Sequence, residues 1–204
     1  MWEVLVNISA EVITKIQNYI NEETGIPVSN IWVHANHTIT TMHARGSAEQ
    51  VALYEDAMMT AAEIALGIAW NSVRPAVMGI GKGESYVNAN RNYLYPDGTY
   101  NVGSFAEENE ERGIISNHAM TIVRFDDLEG NPIGMMVSHG TKPTAIDNAE
   151  MSENTRLISS DVPGLMCQMM ESEFMCPVMF IMGASGDQIP VEETNYFTAN
   201  EKEE

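Results

Sequence analysis

Two stretches of the chain share one arrangement of apolar and polar positions. Ile31-Trp32-Val33-His34-Ala35-Asn36-His37-Thr38 and Gly134-Met135-Met136-Val137-Ser138-His139-Gly140-Thr141 each run through apolar residues to a histidine at the carboxyl end. Apolar runs of this length predict buried strands, here Ile31 to Ala35 and Ile133 to Ser138, with others at Ala76 to Ile80, Ala119 to Phe125 and Val178 to Met182. Elsewhere the period is helical. Ser9 is placed to cap a helix reaching about Glu23, with Val12, Ile13, Ile16, Tyr19 and Ile20 on one face and Gly25 as its stop. Ser47 and Gln50 have capping-box spacing ahead of a longer helix to about Trp70, on which Val51, Tyr54, Met58, Ala61, Ala65 and Ile68 keep period; its alanines predict close packing on a sheet. A further helix opens near Asp161, with Pro163 in its first turn. Asp127-Leu128-Glu129-Gly130-Asn131-Pro132 is hairpin chemistry, so the sheet is expected to be mixed. From Gly81 to Ser116 the periodic signal fades into Gly, Asn, Asp, Pro and the acidic run from Glu107 to Glu111, which predicts a long functional or disordered loop. The pattern as a whole predicts a single α/β domain over residues 1–204, a mixed β-sheet flanked by helices in layers.

Composition narrows the partners. With 204 residues, 44% of them hydrophobic and 19% charged, the chain carries enough apolar material for a sizeable core. Its formal charge of −19, with no cluster of Lys and Arg, repels phosphate backbones and anionic membrane surfaces, so no nucleic acid partner is expected. No segment reaches the ~18 consecutive apolar residues of a membrane span, and Met1-Trp2-Glu3 does not open a basic-then-apolar leader, which points to the cytoplasm. Two cysteines, Cys167 and Cys176, are too few for a disulfide framework or a cysteine zinc cage and are expected as reduced core thiols. Met135, Met136, Met166, Met169, Met170, Met179 and Met182 fall in apolar runs, where methionine fills irregular gaps in a core.

The candidate chemistry rests on the five histidines, His34, His37, His43, His118 and His139. His37 and His139 each follow a predicted strand, and residues just past strand ends converge on the crevice of an α/β fold. Two neutral imidazoles from separate strands make half of a zinc site. His34 belongs to the opposite face from Val33 and Ala35. Asp161 and Asp187 follow apolar elements and offer hard oxygen ligands, against simpler roles as a helix N-cap and a turn acceptor. Gly79-Ile80-Gly81-Lys82-Gly83-Glu84 is glycine-rich after a strand but lacks the rest of a phosphate-binding fingerprint.

Five segments in order resemble the neutral/alkaline, non-lysosomal ceramidase family. Asn30 to Thr38 looks like the strand ending in its His-Thr-His-Ser motif, and Asn88-Ala89-Asn90-Arg91 like its Asn-x-Asn-Arg loop. Met120 to Asp126 with Gly130 to Gly134 resembles the hairpin leading to its second metal histidine, here His139. Leu157-Ile158-Ser159-Ser160-Asp161-Val162-Pro163-Gly164 is similar to its Leu-Ile-Ser-x-Asp-x-x-Gly helix start, and Gly183-Ala184-Ser185-Gly186-Asp187 to its Gly-Ala-x-Gly-Asp turn. The resemblance implies a zinc-dependent amidase in which His37 and His139 hold the metal. By the same resemblance Arg91 and Asn90 bind the substrate, Arg91 and Asp187 serve catalysis, and the bond cut is the amide of ceramide or another lipid-like N-acyl compound. The chain departs from the family at Ile39, where the second motif histidine stands, and at Ile189, two places after Asp187. His43 replaces the first of these only by folding back. The family's remaining ligands, a glutamate and a tyrosine, fall beyond residue 204, so the chain is expected to correspond to part of a larger domain. The alternative is an inactive or incomplete homologue that binds a ligand or a subunit, with exposed apolar edges and self-association into a homo-oligomer.

Overall fold

Ser9 starts the first helix, α1 (Ala10–Thr24): its hydroxyl accepts a hydrogen bond from Val12 N, and Gly25 ends the helix at φ 73 with its N–H on Asn21 O. The computed structural model describes residues 8–41, 47–102, 115–146, 150–152, 155–156 and 158–191. Ser47 and Gln50 form the expected reciprocal box at the head of α2 (Ala48–Trp70). The expectation that α2 lies on the sheet is not met. It packs mainly along α1, Ala61 is its one buried residue, and Leu53, Ile64, Ile68 and Trp70 are exposed. Alanine permits close approach to a helix as readily as to a sheet, so composition does not choose the partner.

Among the described residues ten strands follow in chain order with a third α-helix among them: β1 (Val77–Glu84), β2 (Asn88–Asn90), β3 (Asn92–Leu94), β4 (Tyr100–Val102), β5 (Ala119–Asp126), β6 (Pro132–His139), β7 (Glu150–Ser152), β8 (Thr155–Arg156), α3 (Asp161–Phe174), β9 (Val178–Met182) and β10 (Gln188–Pro190). The main sheet has the order β1-β5-β6-β9, antiparallel at the first two pairings and parallel at β6–β9, so it is mixed as the hairpin residues require. Asp127 builds that hairpin, its Oδ1 accepting from Asn131 N at 2.8 Å and Glu129 N at 3.0 Å while Gly130 takes φ 87. Parallel β6 and β9 need a crossover, and α3 supplies it.

The core lies between α3 and one sheet face. Met135 and Val137 of β6 stand opposite Val178 and Phe180 of β9 and close on Cys167 and Cys176, both free thiols, as expected. Met166, Met170 and Met182 pack against this cluster, but Met169 and Met179 are exposed, so only part of the methionine set fills the interior.

Two expectations about extended chain are corrected. Ile31 to Ala35 forms no strand: Ile31 is extended (φ −105, ψ 111), but its carbonyl accepts from Gln17 Nε2 at 2.8 Å and no ladder forms there. An apolar run becomes a strand only when a neighbouring backbone takes up its hydrogen bonds, and here the Ile31 carbonyl goes to a helix side chain instead. Conversely, the stretch from Gly81 is not simply a loop. β1 continues to Glu84 because its full length pairs with β5, and β2, β3 and β4 lie beyond it. Gly79, Gly81 and Gly83 therefore sit in an exposed edge strand rather than in a turn opening a helix, which removes the phosphate-cradle reading. The acidic run from Glu107 to Glu111 and His43 lie outside the described residues. Among the described residues no helix is long and apolar enough to cross a membrane.

Candidate functional site

His139 ends β6 on the same face as Met135 and Val137 and is only 4% exposed. Its Nδ1 lies 3.1 Å from Ala119 O. A carbonyl can only accept, so Nδ1 carries the proton and the lone pair is left on Nε2. That Nε2 is buried with no hydrogen-bond partner.

The chain just past β6 meets the chain just past β9 backbone to backbone. Gly183 N donates to His139 O at 2.9 Å. A Cβ on Gly140 would stand 2.8 Å from Ala184 O, and one on Gly183 would stand 3.2 Å from Gly140 N. Only glycine permits this approach, so Gly140→Ala is expected to cost about 1–3 kcal/mol by overpacking. Thermal denaturation checks this, and an unchanged Tm would mean that the facing turn yields freely.

β10 and β2 pair across Gln188↔Asn90, Ile189↔Ala89 and Pro190↔Asn88, which sets the Asn-x-Asn-Arg segment against the Gly-Asp turn. Arg91 N donates to Asp187 O at 2.8 Å and Asn90 Nδ2 to Asp187 Oδ2 at 2.9 Å, while Asn90 Oδ1 accepts from Asn92 N. The three sequence-predicted residues Asn90, Arg91 and Asp187 are thus brought together. Arg91 Nε is buried and unpartnered. Lys142, 7% exposed, donates from Nζ to Gly186 O at 2.8 Å in the same turn.

Asn88 is a polar pin beneath this region. Its Nδ2 donates to Asn117 O, Gly140 O and Gln188 Oε1, and its Oδ1 accepts from His118 Nδ1 at 3.0 Å, so His118 is engaged structurally. Asn88 stands in the Asn-x-Asn-Arg resemblance with no role of its own predicted, and Lys142 is not anticipated from the sequence. The repeated asparagine of Asn88-Ala89-Asn90 was the one available signal for the first. Nothing local marks Lys142, which lies in the buried run Thr141 to Thr144.

His37 takes φ 63, a left-handed conformation that costs a non-glycine residue energy and collects at functional sites. Its Nδ1 is buried without a partner. The residues after it run beside those after His139: Ile39 N donates to Pro143 O, Thr40 Oγ1 to Ile146 O and Ser159 N to Thr40 O. Asp161 locks the same loop. At φ 57 its Oδ1 accepts from Ala145 N and Val162 N and its Oδ2 from Ile146 N, so both oxygens are engaged by backbone, and Ser160 rather than Asp161 holds the cap position of α3.

His34 packs against the Trp32 ring, with centroids 5.2 Å apart, and burial lowers its pKa from the ordinary 6.5. A neutral ring favoured by folding contributes stability that is in place above the unfolded value and drains as pH falls through the folded one. His34→Gln is therefore expected to flatten the loss of stability below about pH 6.5, read from urea midpoints across pH.

Among the described residues six buried side-chain nitrogen or oxygen atoms lack a partner, and five of them belong to His34, Asn36, His37, Arg91 and His139; the sixth is Tyr54 OH. Buried polar atoms are nearly always paired, so each of these atoms is one for which the described residues supply no partner. No group of three or more His, Cys, Asp or Glu side chains suited to a metal occurs among the described residues.

The elements define an α/β protein with helices layered on a mixed sheet. Its fold is similar to that of the neutral ceramidase from Pseudomonas aeruginosa, with a TM-score of 0.63 and 16% identity over 88% of this chain and 29% of that one. A structure described as ceramidase complexed with C2 gives a TM-score of 0.58 and 17% identity over 88% of this chain and 28% of that one. This chain thus spans under a third of either protein's length. No protein-family model and no curated protein sequence matches it. The ceramidase-like fold is the one the sequence motifs imply.

Proposed function

We propose that this chain carries the histidine half of a zinc-dependent hydrolase site that cleaves the amide bond of ceramide or a related lipid-like N-acyl substrate. The observation that carries the reading is His139, whose proton is pinned at Nδ1 by Ala119 O while a buried Nε2 is left unpaired. This is how a protein orients a neutral imidazole toward a metal. His37 offers a second buried unpaired ring nitrogen, so donor type fits zinc at both residues. When bound, zinc supplies Lewis acidity toward a carbonyl oxygen and lowers the pKa of water at its open position.

The chain's own residues do the rest. Ala119 O keeps the His139 ring in one tautomer and orientation. Arg91, held beside Asp187 by the β2–β10 pairing, binds an oxygen of the substrate. Asp187, with one carboxyl oxygen fixed by Asn90, holds and returns a proton at its other oxygen. Ile39 and Ile189 bring neither a ligand nor a proton carrier, which places that work on Asp187 and on any contribution from His43.

The test is metal content and turnover together. Purified protein is expected to hold about one zinc per chain and to release fatty acid from an N-acyl sphingoid base; metal-free, inactive protein would leave the fold alone standing. A second reading, an incomplete homologue that binds a partner subunit, draws on β1, an edge strand exposed along its whole length with Val77, Met78 and Ile80 open to solvent. Gel filtration separates the two, because a well-behaved monomer argues against the subunit role.

A further inference from the structure

Asn36 immediately precedes His37 and is 5% exposed. Its Oδ1 accepts from Thr38 N at 3.3 Å and from Thr38 Oγ1 at 2.9 Å, and Thr38 is itself fully buried. A backbone N–H can only donate, so the atom facing Thr38 N must be the amide oxygen, and the orientation of the side chain is fixed by chemistry. The NH2 group is left on the other branch. Its Nδ2 is buried and has no hydrogen-bond partner. A buried donor that is neither satisfied nor free to turn is costly to maintain, and it sits next to a residue held at a strained φ. An uncharged donor fixed in this way suits an acceptor whose negative charge grows during a reaction.

We propose that Asn36 is a catalytic hydrogen-bond donor whose side-chain NH2 binds the scissile carbonyl oxygen of the substrate amide. This rests on the amide-hydrolase reading above. In the step it serves, a water oxygen bonds to the carbonyl carbon and the C=O π pair moves onto the carbonyl oxygen, where Asn36 Nδ2–H holds it. That pair returns as the C–N bond breaks, a proton from the water passes to the departing nitrogen, and the products are a carboxylic acid and an amine. The bond to Nδ2 is strongest while the oxygen is most negative, so it accelerates the reaction more than it tightens substrate binding.

Asn36→Asp and Asn36→Ala test this. The aspartate keeps an oxygen for Thr38 N and replaces the donor with a charged acceptor; the alanine removes the donor without adding charge, and the acceptor oxygen with it. Titration calorimetry with octylphosphonate, whose tetrahedral oxygens mimic the oxyanion, is expected to show at least ~10-fold weaker binding in both variants, with kcat lowered ~10²–10³-fold, KM little changed and zinc content as in the parent protein; Tm falls in the alanine variant, which leaves Thr38 N and Oγ1 without their acceptor. Parent-like phosphonate binding and kcat in either variant would overturn the assignment, since a loss confined to the aspartate is charge repulsion. A zinc-loaded, active parent protein that does not bind octylphosphonate would overturn it and leave the hydrolase reading intact. A parent protein without zinc or turnover would sink the hydrolase reading, and this assignment with it.

Discussion

Replacing His139 by alanine is expected to strip zinc from the purified protein and to lower amide hydrolysis by on the order of 10³-fold or more, the scale on which removal of a preorganised electrostatic group acts. The reason is the division of labour on this ring: Nδ1 is committed to Ala119 O, and the buried Nε2 has no other task. Truncation also leaves Ala119 O without its donor, at a cost of about 1–3 kcal/mol, so the variant needs a reference. His118→Ala provides it. That ring is also joined to a buried partner, Asn88 Oδ1 at 3.0 Å, but its bond belongs to the polar pin beneath the site. Its removal should therefore lower Tm without changing metal stoichiometry. His37→Ala should behave like His139→Ala. Zinc retained at parental stoichiometry in both would refute the metal assignment, whatever happened to activity.

Asp161→Ala is expected to produce the largest loss of stability, about 3–5 kcal/mol, or a fall in Tm of roughly 10 °C for a chain of this size. Three backbone N–H groups, on Ala145, Ile146 and Val162, converge on one buried carboxylate. Alanine would leave all three in want of an acceptor and would itself have to hold φ 57. Asparagine at this position keeps acceptor capacity and tolerates a left-handed backbone, so Asp161→Asn should lose less than half as much, roughly 1–2 kcal/mol. Urea midpoints for the two variants check the order. The effect should spread, because Ile146 O receives Thr40 Oγ1 and Thr40 O receives Ser159 N. Loosening this loop frees the chain that follows His37, so weaker zinc binding should accompany the lower stability.

The sequence shows best what is decided locally. Ser9, Gly25, Ser47 and Gln50 act within a few residues of where they stand, and the helices they bound match the reading from residue patterns. The strands that build the core, β5, β6 and β9, also show plainly, because each is a long apolar run with a neighbour to pair with. Ile31 to Ala35 has the same pattern but pairs with no strand among the described residues, which no local signal discloses. The site is legible in part for the same reason. His139 is announced by its strand, and Arg91 and Asp187 by motif. What holds the last two together, a three-residue pairing of β2 with β10, has too few residues to show a period. Asn36 carries no signal of its own: only the bond from Thr38 N fixes which of its two branches is the donor.

That short pairing also governs the order in which the molecule can assemble. The β5–β6 hairpin closes over the short turn from Asp127 to Asn131 and is among the earliest events open to the chain, whereas Asn90 must find Asp187 across 97 positions. On a ribosome the contact between Asn90 and Asp187 waits until almost the whole described sequence has been synthesised, and a chain arrested before Asp187 would emerge with its central sheet begun and the proposed site unassembled.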